Sequence, residues 1–354
     1  MKEILSRIPD PILREDIRVL AESGMLDDLA AGAAVLITGA TGLIGSQTLK
    51  ALACYSVRSG KDIKLIAAVR SAEKAKTVFG DLLDRGLVQL LIADINEPLC
   101  YDGPVDYIIH GASATSSRYF VEKPAETIMT AVKGTQNVLE LARSKQVKKM
   151  VYLSSLEVYG TPDGTKEYIT EADYGYIDPM QARSSYSEGK RMAECLCAAY
   201  AKEYGVDVTV ARLSQTFGAG VDYNDGRVFA EFARCAIEGR DIVLHTQGRT
   251  VRTYCYLTDA VNGIFCLMLR GEPGQAYNVT NMETAVSIRE MAQMVCDQTP
   301  GIAVKVEIPE EIASFGYNPE MIIRLDSGKL QDLGWKPQVG MEQMLRRLIE
   351  SMKM

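Results

Sequence analysis

Two side chains that could carry proton-transfer chemistry, Tyr186 and Lys190, are four residues apart in the segment 184–204. The apolar spacing of this segment predicts a helix, and residues four apart lie on one face of a helix. An ammonium group beside a tyrosine favours the phenolate, so it lowers the tyrosine pKa from about 10 towards the working pH. The pair could therefore act as a general base on a sugar or alcohol hydroxyl, although the same spacing also occurs in ordinary surface pairs.

A second candidate element is the pair Ser154-Ser155 at the end of a predicted strand over 150–154, with Glu157 two residues later. A hydroxyl just beyond a strand end can hydrogen-bond a reacting oxygen. It can equally form a turn or cap a helix. Ser155 is therefore a candidate partner for Tyr186.

A glycine-rich turn follows the first predicted strand, which is the apolar run over 34–37. Three glycines at three-residue spacing lead into a helix predicted over 44–55. Such a turn presents exposed N–H groups and a helix dipole to a pyrophosphate, and glycine lets the backbone approach the anion. The predicted dinucleotide-binding residues of this turn are Gly39, Thr41, Gly42, Leu43, Ile44 and Gly45.

Strands and helices alternate along most of the chain, which predicts a parallel sheet covered on both faces. Further strands are predicted over 64–69, 88–93, 107–110 and 208–213, with long helices over 124–144 and 184–204. The predicted fold class is α/β, a Rossmann-type doubly wound parallel sheet with a smaller mixed α/β C-terminal substrate lobe. Ligands of such sheets bind beyond the carboxyl ends of the strands, where the candidate residues fall.

This pattern divides the chain into predicted regions. A helical N-terminal extension covers 1–32, and the dinucleotide-binding domain covers 33–213 and is completed by about 248–270. The substrate lobe is predicted over 214–247 and 271–340, and a C-terminal helix over 341–354.

Composition excludes several classes of function. The chain of 354 residues carries a net charge of −7, so it has no basic excess for binding nucleic acid. Its eight cysteines include no C-x-x-C pair and it has only two histidines, so neither a disulfide framework nor a metal centre is predicted. No apolar stretch is long enough for a membrane span, and no signal peptide is evident. We expect a cytoplasmic protein without a membrane partner.

Taken together, these elements resemble the extended short-chain dehydrogenase/reductase superfamily, in its NAD-dependent, nucleotide-sugar epimerase/dehydratase branch. The similarity runs from about residue 33 to the C-terminus. Besides the motifs above, it rests on Asp94-Ile95, His110-Gly111-Ala112-Ser113, the helix segment 134–140 and the closing run 325–337.

Within that branch, segments 186–191, 216–218 and 224–228 are most similar to UDP-glucuronate decarboxylases. Glu157, two residues before Tyr159, is typical of decarboxylases and 4,6-dehydratases rather than of 4-epimerases. Leu156 stands where dTDP-glucose dehydratases have an aspartate.

The resemblance implies a role for each site residue. Ser155 and Tyr186 would bind the sugar 4-hydroxyl, Lys190 the nicotinamide ribose, and Glu157 would move the proton at C5. The remaining implied cofactor contacts are Asp94, Ile95, Gly111, Ala112 and Ser113. The implied contacts to the nucleotide-diphosphate sugar are Ser113, Gln215, Arg227, His245 and Arg252. A homodimer is common in this family.

Several alternatives stay open at this stage. Arg70 stands at the end of the second predicted strand, where an acidic residue would bind the adenosine ribose of NAD, so NADP is an alternative cofactor. The reaction could be decarboxylation, 4,6-dehydration or 4-epimerisation. Outside these, an NADP-dependent carbonyl reductase and a non-catalytic dinucleotide-binding protein are the other classes considered. For His110 a structural role is expected, and His245 could equally be a loop histidine.

Overall fold

The chain is built around a seven-stranded parallel sheet. The structure, a computed structural model, describes residues 1–114, 116–308 and 320–354. In the sheet the strands run in the order β10-β6-β5-β4-β1-β2-β3. Their bounds are β1 Ala34–Thr38, β2 Lys64–Val69, β3 Val88–Ile92, β4 Tyr107–His110, β5 Lys149–Ser155, β6 Val208–Leu213 and β10 Ala276–Val279.

Alternate residues of the central strand β1 point into two separate cores. Val35 and Ile37 join the core formed with the helices on one face, whereas Ala34 and Leu36 join the core on the other face. The first face carries α2 Pro11–Glu22, α3 Leu43–Ser59, α4 Ala72–Asp84 and α9 Leu257–Arg270; the second carries α6 Pro124–Lys145 and α7 Ser184–Tyr204. Because both faces are covered, the strands read as continuous apolar runs.

The strand order reverses between β1 and β4, the point where doubly wound sheets open a crevice for ligands. Gly39 follows β1 and Gly111 follows β4, so the predicted dinucleotide residues lie on both sides of this crevice. The predicted Rossmann-type fold is confirmed.

A smaller lobe packs around a second apolar core, which includes Phe217, Phe229 and Tyr254. Its sheets pair β9 with β7, β11 and β13, and β8 with β12. The strands are β7 Gln215–Phe217, β8 Ile242–Leu244, β9 Val251–Tyr256, β11 Asn281–Ser287, β12 Val304–Val306 and β13 Ile322–Ile323. The helices are α8 Val228–Glu238, α10 Ile288–Asp297 and α12 Met341–Met352.

The boundary between the two parts differs from the sequence prediction in two places. The strand β10, from the range predicted for the substrate lobe, pairs with β6 and forms the edge of the large sheet. The strand β9, predicted to complete the dinucleotide-binding domain, instead lies in the second sheet. Local apolar patterning cannot reveal either placement, because the strand partner is chosen by long-range pairing.

The remaining helices are short or terminal: α1 Lys2–Ser6, α5 Ser117–Glu122, α11 Gly328–Gln331 and a 3-10 helix over Leu156–Tyr159. The N-terminal helices are fastened to the C-terminal end of the chain. The Tyr256 hydroxyl donates to Asp16 at 2.7 Å, and Arg347 of α12 donates to the same carboxylate at 2.6 Å. Among the helices of the described ranges, none combines the length and the apolar character that crossing a membrane requires.

Candidate active site

The glycine turn after β1 forms a cradle for an anion. Gly39 has φ +67°, and a Cβ there would lie 2.7 Å from the carbonyl carbon of Gly111. A Cβ on Gly45 would collide with the carbonyl oxygen of Gly39. The first intrahelical bond of α3 runs from the Ser46 amide to the Gly42 oxygen, so the amides of Leu43, Ile44 and Gly45 have no acceptor within the helix. This cradle fits the pyrophosphate of a dinucleotide.

The other predicted cofactor residues follow the strands at the same edge of the sheet. Arg70 is exposed after β2. After β3, Asp94 Oδ1 accepts the Asn96 amide at 2.9 Å, and Ile95 is buried against Gly134. After β4, the Ala112 amide donates to Thr38 Oγ1 at 3.2 Å, and Ser113 follows it.

The predicted catalytic tyrosine is half-buried at the start of α7. Its ring stacks on Phe120 of α5, with the ring centroids 4.2 Å apart. The hydroxyl of Ser155, which ends β5, lies near the Tyr186 hydroxyl and favours its phenolate form. The strand end and the helix thus bring together the two hydroxyl groups that the sequence assigned to one proton transfer.

The expected lowering of the tyrosine pKa is wrong for the protein without ligands. Burial, together with the nearby charge of Glu157, raises the pKa of Tyr186 to about 12. The hydrogen bond from Ser155 and the charges of Arg183 and Arg227 act in the opposite direction, but they do not outweigh burial. The sequence indicated the pairing with Lys190 and gave no sign of this enclosure.

Lys190 is a buried cation one helical turn after Tyr186. Its ammonium donates to the Leu153 carbonyl at 2.8 Å and lies 5.8 Å from the centroid of the Tyr186 ring. Burial lowers its pKa to about 8, against the influence of Glu194. A charged ammonium is therefore costly here, and an anion such as a phenolate nearby would reduce that cost.

The carboxylate of Glu157 is held by an arginine that the sequence prediction did not include. Arg183 donates from Nη1 to Oε2 at 2.9 Å and from Nη2 to Oε1 at 2.8 Å. Ser187 Oγ also donates to Oε2, at 3.1 Å. Glu157 therefore lies close enough to Tyr186 for its charge to raise the pKa of that tyrosine, and both carboxylate oxygens of Glu157 are engaged.

Among the predicted substrate residues, Arg252 has a hydrogen-bond donor that is available to a ligand. It lies on β9, and Nη2 contacts Met321 Sδ at 3.8 Å. Its Nε is buried and makes no hydrogen bond within the described ranges, which is unusual for a buried donor. Gln215 begins β7 and pairs with Tyr254 of β9, so it belongs to the same sheet. An anionic ligand would satisfy the Arg252 donor.

Arg227 and His245 have local partners instead. Arg227 precedes α8 and donates to Asp225, with Nη2 to Oδ2 at 2.6 Å. The positive charge of Arg227 acts to lower the pKa of Tyr186. His245 follows β8, and its Nδ1 lies 3.2 Å from the Glu307 carbonyl oxygen.

The comparisons with known proteins agree with this arrangement. Residues 35–280 match the model of the NAD dependent epimerase/dehydratase family. The chain belongs to that family. The predicted membership is thereby confirmed.

Members of the NAD dependent epimerase/dehydratase family similar in sequence include UDP-glucuronic acid decarboxylase 1 of Xenopus tropicalis. It is 31% identical over 315 residues, which cover 89% of this chain and 71% of the relative. UDP-glucuronic acid decarboxylase 6 of Arabidopsis thaliana is 30% identical over an alignment that covers 90% of this chain and 89% of the relative. These relatives agree with the functional prediction.

Solved structures share the fold at lower identity. UDP-glucose 4-epimerase of Thermotoga maritima has a TM-score of 0.74 at 22% identity and covers 90% of this chain and 98% of its own. A dTDP-glucose 4,6-dehydratase of Streptomyces venezuelae has a TM-score of 0.71 at 21% identity, over 90% of this chain and 96% of its own. The family fold thus serves several reactions, and the reaction must be argued from the site.

Three residues of the site were missed at the sequence level: Phe120, Arg183 and Ser187. Arg183 could have been found, because it stands three residues before Tyr186 and so shares its helix face. Ser187 immediately follows the tyrosine. Phe120 comes from a separate helix, and no local signal connects it with Tyr186.

His110 of this family member has the structural role expected for it. Its Nδ1 lies 2.7 Å from Thr38 Oγ1, and its Nε2 lies 3.2 Å from Thr135 Oγ1. Burial, reinforced by the charge of Lys190, lowers its pKa from 6.5 to about 3. The imidazole is therefore neutral at pH 7 and cross-links β1, β4 and α6.

This histidine makes folding stability depend on pH. Its folded pKa is depressed, so the unfolded chain binds the proton first and stability falls as the pH drops below 6.5. At pH 5 the contribution amounts to a loss of about 2 kcal/mol relative to pH 8. We expect His110→Gln to be less stable at neutral pH but to lose less stability between pH 8 and pH 5, as measured by urea unfolding. His245→Gln, which changes the half-buried histidine, is the matched control; an unchanged slope in His110→Gln would contradict the assignment.

Proposed function

We propose that this chain decarboxylates a nucleotide-diphosphate sugar that carries a carboxylate at C5, such as UDP-glucuronate, with bound NAD. The observation that carries the proposal is the Glu157–Arg183 ion pair beside the neighbouring hydroxyl groups of Tyr186 and Ser155. The two relatives named above for their similarity in sequence, both UDP-glucuronic acid decarboxylases, support it. The steps below depend on what each side chain can do from its position.

Tyr186 would hold and move the proton on the sugar 4-oxygen. Ser155 lies near it and can orient the same oxygen. Lys190 adds a positive charge one turn along the helix, which favours the phenolate when Tyr186 acts as the base. NAD, when bound, takes up the hydride of C4 and later returns it, so no net oxidation results.

A ketone at C4 makes a C5 carboxylate the acid group of a β-keto acid. The bond from C5 to the carboxyl carbon can then break, its electrons move towards the C4 oxygen, and carbon dioxide leaves. C5 afterwards takes up one proton, for which Glu157 is the candidate carrier. Tyr186 returns its proton to the 4-oxygen when C4 regains its hydride. The balance is one uronate and one proton converted to one pentose and one carbon dioxide.

The residue at position 156 favours this reaction over 4,6-dehydration. Dehydration needs a base that removes the C5 proton and an acid that protonates the leaving hydroxyl. Leu156 is an apolar residue at the position that is aspartate in dTDP-glucose dehydratases, so it cannot supply that acid. Loss of carbon dioxide needs neither a base at C5 nor an acid for a leaving hydroxyl.

The test is to incubate the full chain and NAD with UDP-glucuronate, UDP-glucose and dTDP-glucose separately, and to weigh the products. We expect loss of one carbon dioxide from UDP-glucuronate and no change in mass of the other two. Loss of water from either hexose would instead identify a dehydratase. A changed sugar configuration without a change in mass would identify an epimerase.

Cofactor choice is a separate prediction that rests on Arg70. An exposed arginine after β2 can bind the 2′-phosphate of NADP or stack on the adenine of NAD. We expect wild type to prefer NAD. We also expect Arg70→Glu to weaken NADP binding at least about tenfold while changing NAD binding by less, as measured by titration of both dinucleotides. An unchanged ratio of the two affinities would mean that Arg70 contacts neither phosphate nor ribose.

The diphosphate of the sugar nucleotide is assigned to Arg252, since its buried Nε lacks an acceptor in the described ranges. Gln215, Arg227, His245 and Ser113 remain predicted substrate contacts. A homodimer and a cytoplasmic location also remain predictions, both taken from the family resemblance and the composition.

A further inference from the structure

Arg183 occupies a position from which it can contact two anions at once. It precedes α7, one turn before Tyr186, and its side chain is 27% exposed. The guanidinium carbon lies 5.0 Å from the centroid of Phe120, the ring that stacks on Tyr186. The Arg183 guanidinium is therefore packed on Phe120, the same ring on which Tyr186 stacks.

Its hydrogen-bonding capacity is only partly used. A guanidinium has five N–H donors in a planar fork. Within the described ranges, Arg183 uses one N–H on each oxygen of Glu157 and makes no other hydrogen bond. Three donors thus remain, on a side chain that is still partly open to solvent.

A substrate with a carboxylate at C5 creates a charge problem at this place. The sugar C5 is bonded to C4, whose oxygen is assigned to Tyr186 and Ser155. Glu157 is close enough to raise the pKa of Tyr186 by its charge. A second carboxylate at C5 would therefore meet the like charge of Glu157, unless a cation lies between them.

We propose that Arg183 is the specificity-determining residue for the substrate carboxylate: it holds Glu157 with one side of its fork and receives the C5 carboxylate of the sugar with its free donors. This inference rests on the proposed function and goes beyond it, because it assigns the recognition of the group that leaves. An uncharged hexose gives Arg183 no second anion to bind.

The two other arginines near the site are less suited to this role. Arg227 already makes a two-pronged contact with Asp225, and its side chain is 41% exposed. Arg252 lies on β9 of the second sheet, where its Nε, which has no acceptor among the described residues, fits the diphosphate assignment. Arg183, in contrast, is hydrogen-bonded to Glu157 and lies on the same face of the helix as Tyr186.

The test compares the affinities of two ligands that differ at C5. Arg183→Gln is made in a Tyr186→Phe background, which prevents turnover, and binding of UDP-glucuronate and UDP-glucose is measured calorimetrically with NAD present. We expect Arg183→Gln to weaken UDP-glucuronate at least about tenfold and UDP-glucose less than about threefold. Arg118→Gln, on the neighbouring α5 and 85% exposed, is the control for loss of one positive charge and should change neither affinity.

A second variant addresses the loss of a partner for Glu157. In Arg183→Gln/Glu157→Gln both charges of the pair are removed, so no carboxylate is left unpaired. This variant should still bind UDP-glucuronate more weakly than Glu157→Gln alone, in which the whole fork of Arg183 is free. Equal affinity of these two variants for UDP-glucuronate would overturn the proposal.

The outcomes also separate this inference from the proposed function. If wild type releases carbon dioxide from UDP-glucuronate but Arg183→Gln keeps the preference for that ligand, the function stands and the role of Arg183 is wrong. If wild type neither converts UDP-glucuronate nor prefers it over UDP-glucose, the proposed function fails, and the inference fails with it.

Discussion

Replacing Tyr186 by phenylalanine is expected to lower kcat about 10²- to 10⁴-fold, the usual effect of losing a positioned general base. The phenylalanine ring keeps the stack on Phe120, so the fold around α7 should persist. Only the hydroxyl that lies near Ser155 is removed. Without it the proton on the sugar 4-oxygen has no acceptor, and the first hydride transfer cannot proceed.

Two measurements separate a chemical effect from a structural one. Single-turnover mixing with the nucleotide sugar should show no reduced nicotinamide, whereas NAD should bind within about threefold of its wild-type affinity. The control is Tyr200→Phe on the same helix. The Tyr200 hydroxyl donates to Glu140 at 2.6 Å, and this hydrogen bond does not involve the proposed catalytic residues. Activity of Tyr186→Phe within about threefold of wild type would remove Tyr186 from the mechanism.

The enclosure of Tyr186 also sets the direction of the pH dependence. In the ligand-free protein the pKa is raised to about 12, so the phenolate is scarce at neutral pH. The buried ammonium of Lys190, with a pKa lowered to about 8, loses its charge as the pH rises through that value. Lys190 can therefore favour the phenolate of Tyr186 only below that pH. The positive charge of bound NAD would also favour the phenolate.

The parts of the fold that follow from local patterns could be predicted from the sequence. The apolar run over 34–37 and the spacing within 184–204 depend only on burial and helical period, so they predicted the strand Ala34–Thr38 and the helix Ser184–Tyr204 in the right places. The spacing of Tyr186 and Lys190 likewise placed both on one helix face. Each of these features is set by residues that are close in sequence.

Features that depend on contacts between distant segments could not be predicted in this way. The pairing of β10 with β6 is a choice between edges of two sheets, and no single strand encodes it. The stacking of Phe120 on Tyr186 joins two helices, and the sequence pattern of neither helix indicates a contact with the other. The pKa of Tyr186 was predicted in the wrong direction for the same reason, since burial is a property of the assembled site.

Replacing Glu157 by glutamine is expected to stop the reaction after the first hydride transfer. Glutamine keeps nearly the same shape and can still accept from Ser187 Oγ, but it cannot carry a proton to C5. Removal of the negative charge also takes away an influence that raises the pKa of Tyr186, so the proton transfer from the 4-hydroxyl should not become harder. Product formation should fall about 10²-fold or more.

The release of Arg183 from its ion pair should also slow product formation in this variant. In wild type both oxygens of Glu157 occupy part of the arginine fork. In Glu157→Gln the fork is free for the carboxylate of the substrate, and a carboxylate held as a paired anion gives up its electrons less readily. The loss of carbon dioxide and the protonation of C5 should therefore both slow down, while hydride removal from C4 continues.

Stopped-flow absorbance is the measurement that checks this expectation. With UDP-glucuronate, Glu157→Gln should accumulate reduced nicotinamide that persists, where wild type shows a transient at most. The control is Glu188→Gln on α7, a half-exposed glutamate 3.7 Å from Arg191, which should behave like wild type. If Glu157 serves only to anchor Arg183, hydride transfer and product formation should instead decline together with thermal stability. Near-normal product formation by Glu157→Gln would exclude both decarboxylation and dehydration through this residue, because only a reaction without chemistry at C5 tolerates its loss.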